Sequence, residues 1–207
     1  MADHFTLYGT PTSGPVYKVA LALSLLGLPY RYRFVDFTKR EQKSSGHLAL
    51  NRFGEVPVLA VENGPILSQS GAILEWLADR YGRLAGSYPL EARQWLFWTA
   101  DRLAIPVYRA RAVRRGRLVA GPETEAFFRD AATPAFDLLE KHLSAQDWLV
   151  GDEVSIADID LYPVLYWTAE AGIELADWPE VAAFKVRFEE LPGWKPQPEL
   201  APAHDRD

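Results

Sequence analysis

Apolar positions recur along the chain with two different periods, and the change from one to the other divides it. Residues 4–8 are short, aromatic and apolar and predict a strand, which the turn-rich segment Gly9-Thr10-Pro11-Thr12-Ser13-Gly14-Pro15 ends. From there Val16, Val19, Ala20, Leu23 and Leu26 follow helical spacing. Pro15 suits the first helical position, and Gly27 followed by Pro29 supplies a stop. Tyr30, Tyr32 and Phe34 then alternate with Arg31 and Arg33 within residues 30–35, the period-two pattern of a strand with one buried face. Strand, helix and strand make a βαβ unit, whose crossover is expected to be right-handed. Residues 39–50 are polar with weak helical character. Residues 56–61 and 65–67 read as strands joined through Asn63-Gly64, a two-residue hairpin signal. Ile73, Trp76, Leu77 and Tyr81 form a helical stripe closed by Gly82.

After Ser87-Tyr88-Pro89 the period-two pattern stops. Residues 91–116, 123–143, 155–171 and 179–191 all read as helices separated by glycine or proline. Pro106 is expected to kink the first of them, because it removes a backbone donor and crowds the preceding turn. The expected fold class is therefore α/β plus all-α: a small βαβαββα domain over residues 1–82, then an all-helical domain over residues 90–207. Residues 192–207, with prolines at 192, 196, 198 and 202, are expected to be extended and partly mobile.

Composition narrows the chemistry. With 207 residues, 48% hydrophobic and 24% charged, the chain has enough apolar content to fold around a core without covalent staples. It contains no cysteine, which excludes a disulfide framework, a thiolate zinc site, an iron–sulfur centre and a cysteine nucleophile. Any thiol chemistry must use an imported thiol. His4, His47, His142 and His204 lie far apart without paired ligand spacing, so no metal is expected. The formal charge of -6 disfavours nucleic acid and anionic membrane as partners. Arg109, Arg111, Arg114, Arg115 and Arg117 crowd the end of a predicted helix, where the macrodipole favours cations. No apolar run reaches the length of a membrane span, and the N-terminus lacks a basic segment followed by a hydrophobic stretch. A cytoplasmic location is the expectation.

Four features coincide: this element order, Val56-Pro57 at the start of the third strand, Gln69-Ser70 at the start of the third helix, and a helical second half. Together they resemble the cytosolic glutathione transferase family, in particular its bacterial and serine-type members of the theta, zeta and nu kind. The resemblance covers nearly the whole chain. It is carried by Leu7-Tyr8-Gly9, Ser13-Gly14-Pro15-Val16-Tyr17-Lys18-Val19, Leu25-Leu26-Gly27-Leu28-Pro29-Tyr30, Leu50-Asn51-Arg52-Phe53-Gly54-Glu55-Val56-Pro57-Val58-Leu59, Gln69-Ser70-Gly71-Ala72-Ile73-Leu74 and Val150-Gly151-Asp152-Glu153-Val154-Ser155-Ile156-Ala157-Asp158. It implies a thioredoxin-like first domain, glutathione as cosubstrate, a homodimer, and a detoxifying transferase that joins the glutathione thiolate to an apolar electrophile.

Ser13 allows two readings. It is the N-cap of the first helix, or, with Pro15 at the first helical position and Gly14 as cap, it lies one residue outside with its hydroxyl free for a ligand. The resemblance implies a serine here that donates a hydrogen bond to the glutathione sulfur. A free thiol has a pKa of ~8.5, and lowering it by about two units requires about 2.7 kcal/mol. A hydrogen bond to a charged acceptor, ~1.5–3 kcal/mol, and a helix N-terminus, ~0.3–1 kcal/mol, cover that range. Tyr8 and Thr10 are rival donors, because other classes of the family place a tyrosine or a threonine near here.

Further roles follow from the resemblance. Val56 is implied to offer its backbone N–H and C=O to the cysteinyl unit like an added strand, with the bond to Pro57 cis. Gln69 and Ser70 read by themselves as capping residues. The resemblance gives Ser70 the γ-glutamyl carboxylate and Gln69 the amino group. Gln42 and Lys43 fall where relatives contact the glycyl end, and Ala104 and Tyr108 where they line an electrophile pocket between the domains. Ser155 with Asp158 reads as a capping box with a structural role, and removal of Asp158 is expected to cost about 1 kcal/mol.

Three positions depart from the usual family pattern: Arg52 replaces a proline, Glu55 a lysine or glutamine, and Gln69 an acid. A glutamate beside the glycyl carboxylate would repel it, with Arg52, Gln42 or Lys43 available to compensate. These departures motivate a non-catalytic binding or scaffold protein as one alternative. A glutathione-dependent isomerase, dehalogenase or peroxidase using the same thiolate is another. Ala104 stands about where the cysteine-bearing bacterial type has a histidine, and reductase chemistry through a protein thiol is excluded.

Overall fold

The computed structural model describes residues 4–86 and 88–207. They form two compact units, Met1–Gly82 together with Leu191–Asp207, and Arg83–Glu190. Ser87, in the expected linker, lies outside the described residues.

The first unit is built on a four-stranded sheet. β1 (Phe5–Gly9) runs parallel to β2 (Tyr30–Phe34) and antiparallel to β3 (Val58–Val61), which pairs antiparallel with β4 (Ile66–Ser68). The order across the sheet is β2-β1-β3-β4. α1 (Gly14–Leu25) makes the crossover between the parallel strands, and a short α2 (Ser45–Leu50) follows β2. α3 (Ser70–Tyr81) packs beside α1. α1 and α3 cover the sheet face that carries Phe5, Leu7 and Gly9. Phe5 meets Trp76 and Tyr81 edge to face at 6.5 and 6.4 Å. A Cβ on Gly9 would stand 2.4 Å from Val16 Cγ1, so the close approach of α1 requires glycine there. Thr6 and Tyr8, at the alternate positions, project from the opposite face. The β3–β4 hairpin turns through Asn63 at φ 55°, with the Gly64 N–H donating to the Val61 carbonyl at 3.0 Å, as the Asn63-Gly64 signal predicts.

The second unit is helical: α4 (Pro89–Trp98), α5 (Ile105–Arg114), α6 (Pro122–Leu143), α7 (Ile156–Tyr166) and α8 (Pro179–Glu189). α7 is buried along nearly its whole length, and Tyr162 stacks on Phe188 of α8 with ring centroids 4.3 Å apart. The single helix predicted over residues 91–116 is divided by a π-helical stretch, Thr99–Ala104. Pro106 follows immediately in the first turn of α5, where it supplies no backbone donor to the turn ahead of it, and that turn is π-helical. The helix predicted over residues 155–171 ends at Tyr166. A separate 3-10 turn, Ala169–Ala171, is closed by Gly172 at φ 74°.

The C-terminal segment differs from its expectation, both in order and in the unit it joins. The Tyr17 hydroxyl donates to the Lys195 carbonyl at 2.9 Å, Ser24 to Gly193 at 2.5 Å and Tyr30 to Leu200 at 2.6 Å. A short α9 (Gln197–Leu200) lies on α1. Arg206 then pairs antiparallel with Tyr32, each N–H donating to the other's carbonyl at 2.6 and 2.9 Å. Two physical causes override the proline-rich composition: Leu200 and Ala201 bury apolar surface, and the edge of β2 offers unpaired backbone groups that an extended segment satisfies.

Candidate functional site

Strand register collects the predicted residues. Tyr8 of β1 pairs with Val58 of β3, and Val58 pairs with Ser68 of β4. Residues 9–13 leave just past Tyr8, Val56-Pro57 enters just before Val58, and Gln69-Ser70 follows Ser68. Ser13, Val56, Pro57, Gln69 and Ser70 therefore share one end of one sheet, and α1 and α3 both begin there. Two sets of unpaired backbone N–H groups and two positive dipole ends converge on this end.

Ser13 is itself the N-cap of α1, and not the residue outside it. Its backbone is extended at φ -96° and ψ 116°, its carbonyl accepts the Tyr17 N–H at 3.1 Å, and its Oγ accepts the Val16 N–H at 3.3 Å. Gly14 and Pro15 become the first two helical residues; proline is tolerated at the second because that N–H also has no intrahelical acceptor. Capping uses only a lone pair of the hydroxyl. The proton has no acceptor among the described residues, so one side chain both caps the helix and retains a donor. Of the rival hydroxyls, Thr10 lies in the loop, where its carbonyl accepts the Ser13 N–H at 3.2 Å. Tyr8 leaves the sheet on the face opposite α1.

The Val56–Pro57 peptide bond is cis. The loop before it is pinned by two side chains that sequence reasoning did not single out. The Glu55 carbonyl accepts from His47 Nε2 and from Asn51 Nδ2, both at 2.9 Å, and Asn51 Oδ1 accepts the Phe53 N–H at 3.1 Å. His47 and Asn51 are buried. Asn51 carries a faint sequence signal as an Asx-turn former ahead of Gly54, whereas the reach of His47 from α2 has none. Gly54 stands at φ 62°, and a Cβ there would lie 2.7 Å from Lys43 Nζ. That ammonium, from the 3-10 turn Glu41–Lys43, donates to the Phe53 carbonyl at 3.1 Å. The adjacent Gln42 has a buried Oε1 without a partner among the described residues.

Gln69 holds a left-handed backbone at φ 70°, unusual for a residue with a Cβ, and its side chain does not cap α3. Its Nε2 donates instead to Glu55 Oε2 at 3.2 Å. The Glu55 carboxylate is thus turned toward the Gln69 side of the site, where the sequence had suggested the glycyl end. Arg52 is not its counter-ion; that guanidinium lies over the Phe53 ring at 5.0 Å.

Residues 3–79 match the family model "Glutathione S-transferase, N-terminal domain" and residues 124–192 the model "Glutathione S-transferase, C-terminal domain". Maleylacetoacetate isomerase of Pseudomonas aeruginosa is 31% identical over 86% of this chain and 86% of that protein. The chain belongs to the glutathione S-transferase family. A crystal structure of a glutathione S-transferase from Pseudomonas fluorescens superposes with a TM-score of 0.87 at 34% identity, covering 93% of this chain and 98% of that one. A glutathione transferase family member from the same species, solved with two glutathione bound, superposes at 0.82 and 25% identity over 91% of this chain and 89% of that one.

In the helical unit of this glutathione S-transferase, Ala104 ends the π-helical stretch and Tyr108 follows one turn later. The Tyr108 hydroxyl is buried without a partner among the described residues, and burial pushes its pKa up, which keeps it protonated. Arg111, Arg114 and Arg115, at the end of α5, are engaged within their own unit. Arg111 Nε and Arg115 both reach Glu170, the former at 2.9 Å, Arg114 reaches Glu125 at 3.1 Å, and the Arg111 guanidinium lies 3.6 Å over the Trp167 ring. Burial alone would raise the Glu170 carboxyl, but Arg115 and Arg111 hold it below its ordinary value. Asp158 closes the expected capping box with Ser155: its Oδ2 accepts the Ser155 N–H and hydroxyl, both at 2.8 Å.

Proposed function

We propose that this chain is a glutathione transferase in which Ser13 stabilises the glutathione thiolate. The observation that carries the reading is the convergence at one sheet end of a proton-bearing serine at the start of α1, the Val56 backbone ahead of a cis proline, and the start of α3. Such an end suits a tripeptide. The N-terminus of α3, with the Ser70 N–H and hydroxyl, takes the γ-glutamyl carboxylate. Gln69 takes the amino group, Val56 pairs with the cysteinyl backbone, and Lys43 and Gln42 serve the glycyl end. The sulfur then lies with the Ser13 hydroxyl and the positive end of α1, whose combined effect is enough to favour the thiolate near neutral pH. The serine donates a hydrogen bond and does not ionise, so rate enhancement comes from positioning and anion stabilisation.

The electrophile in this reading is apolar and is met by Ala104 and Tyr108, one helical turn apart. The protein acts in the cytoplasm, in detoxification, and as a homodimer. Leu90 and Phe97, 68% and 72% exposed and two turns apart on α4, support a self-association face. Isomerisation by the same thiolate is the second reading, supported by the similarity to maleylacetoacetate isomerase.

Isothermal titration with reduced glutathione at neutral pH tests the proposal. Saturable binding in the wild type, with loss of the thiolate ultraviolet absorbance in Ser13→Ala, supports it. Absence of binding removes Val56, Gln69 and Ser70 from any glutathione site and leaves the scaffold reading.

A further inference from the structure

Glu55 is an exposed carboxylate without a cation in ion-pair distance among the described residues, yet its position is closely determined. Its own carbonyl is held by two buried side chains, His47 and Asn51, and the loop behind it turns at a glycine that no other residue could replace without displacing Lys43. Across from it, Gln69 is held in a left-handed backbone conformation. Strain of this kind persists only where the surroundings over-determine it, and it gathers at ligand sites. A hydrogen bond joins the two segments, Gln69 Nε2 donating to Glu55 Oε2 at 3.2 Å.

That contact has a chemical consequence. An amide facing a carboxylate must present its nitrogen to it. Gln69 Oε1 is therefore fixed on the other edge of the amide, where no described residue donates to it. The site then presents a fixed neutral acceptor, with an unneutralised negative charge directly behind it, beside a helix N-terminus that favours an anion. A ligand group that carries a carboxylate and an ammonium on one carbon matches both halves.

We propose that Glu55 is a positioning and specificity-determining residue that acts through Gln69, and that it selects thiol peptides with a free α-ammonium over those whose amine is blocked. The inference rests on the glutathione reading above and names what that site discriminates. Its test compares glutathione with N-acetylglutathione by titration calorimetry and steady-state kinetics in the wild type, Glu55→Gln and the double variant Glu55→Gln/Gln69→Glu.

Glu55→Gln keeps the shape and removes the charge. It weakens glutathione binding and raises KM by about tenfold, with the change in KM and not in kcat, because the lost attraction is the same in the ground and transition states. N-acetylglutathione, which lacks the ammonium, changes by less than about twofold. The double variant moves the carboxylate onto position 69 and restores the preference for the free amine, which a purely structural role for Glu55 would not do. Equal effects on both ligands, or no effect on either, overturn the proposal while leaving the glutathione reading in place. A wild type that binds neither ligand overturns both.

Discussion

The carboxylate of Asp158 reaches beyond its own helix cap to accept the backbone N–H of Leu149 at 2.8 Å. Asp158 is wholly buried, so its loss strands the Leu149 and Ser155 donors in the interior of the helical unit. Each stranded donor costs about 1–3 kcal/mol. Asp158→Ala is therefore expected to destabilise the protein by about 3–5 kcal/mol, well above the ~1 kcal/mol of an isolated cap. Chemical denaturation measures this. A loss near 1 kcal/mol would mean that the bond to Leu149 contributes nothing.

The same residue sets a pH dependence. Burial pushes the Asp158 carboxyl up to about 6 from 3.8, against the pull of its hydrogen bonds. Between those values the folded state binds the proton more tightly than the unfolded chain, so this stabilisation is full at low pH and lost as pH rises through about 6. The stability gap between wild type and Asp158→Ala is expected to narrow by about 1.4 kcal/mol from about pH 5 to pH 7.5. A gap that widens over that window would show that hydrogen bonding outweighs desolvation.

Ser13 combines a cap and a donor in one hydroxyl, and two substitutions separate them. Ser13→Ala loses both, at about 1 kcal/mol of stability and with loss of the glutathione thiolate. Ser13→Asp keeps a capping oxygen but, when ionised, has no proton to donate and repels an anion. It is expected to stay within about 0.5 kcal/mol of wild type in stability while the thiolate is lost. Spectroscopic titration of bound glutathione decides, and a wild-type thiol pKa in Ser13→Asp would transfer the role to Thr10 or Tyr8.

The sheet, α1, α3 and the residues along their starts were legible because each is written locally: alternation in 30–35, helical spacing from Val16, Asn63-Gly64 at the hairpin. What escaped was long-range. The bonds of Tyr17, Ser24 and Tyr30 to residues far along the chain made an ordered strap of a segment that composition marks as mobile. The His47 contact to Glu55 joins a side chain of α2 to the loop that follows the helix, and the turning of Glu55 toward Gln69 depends on a backbone conformation that no propensity would assign to glutamine. Sequence left Ser13 either as the cap or one residue outside it, because proline is compatible with either of the first two helical positions, and the structure holds it as the cap.

The strap makes a prediction of its own. Residues 205–207 pair with β2: Arg206 exchanges two backbone bonds with Tyr32, the Phe34 N–H donates to Asp205 at 2.8 Å, and Arg33 reaches Asp207 at 2.9 Å. The last of these is exposed and worth little. Deleting the three residues is expected to cost about 1–3 kcal/mol, from the two backbone bonds and the Phe34–Asp205 bond at ~0.5–1.5 kcal/mol each less what water restores. It also frees a sheet edge that promotes self-association. Thermal unfolding and light scattering read both effects, and an unchanged melting temperature would show that the bridge is incidental.

His47 and Asn51 both donate to the Glu55 carbonyl, so neither alone decides whether that oxygen is satisfied. Either single alanine leaves one donor in place; the double variant leaves none, and the loop that presents Val56 is then free to leave its position. The combined loss of stability is expected to exceed the sum of the singles by about 0.5–1 kcal/mol, as for residues that share a partner. Glutathione affinity should fall more in the double variant than the product of the single effects, because the Val56 backbone and the Gln69 contact depend on the same loop. A double-mutant cycle on unfolding and on glutathione binding tests this. Strict additivity in both would mean that the two donors act on separate parts of the fold and that the Glu55 carbonyl is not the point at which the loop is held.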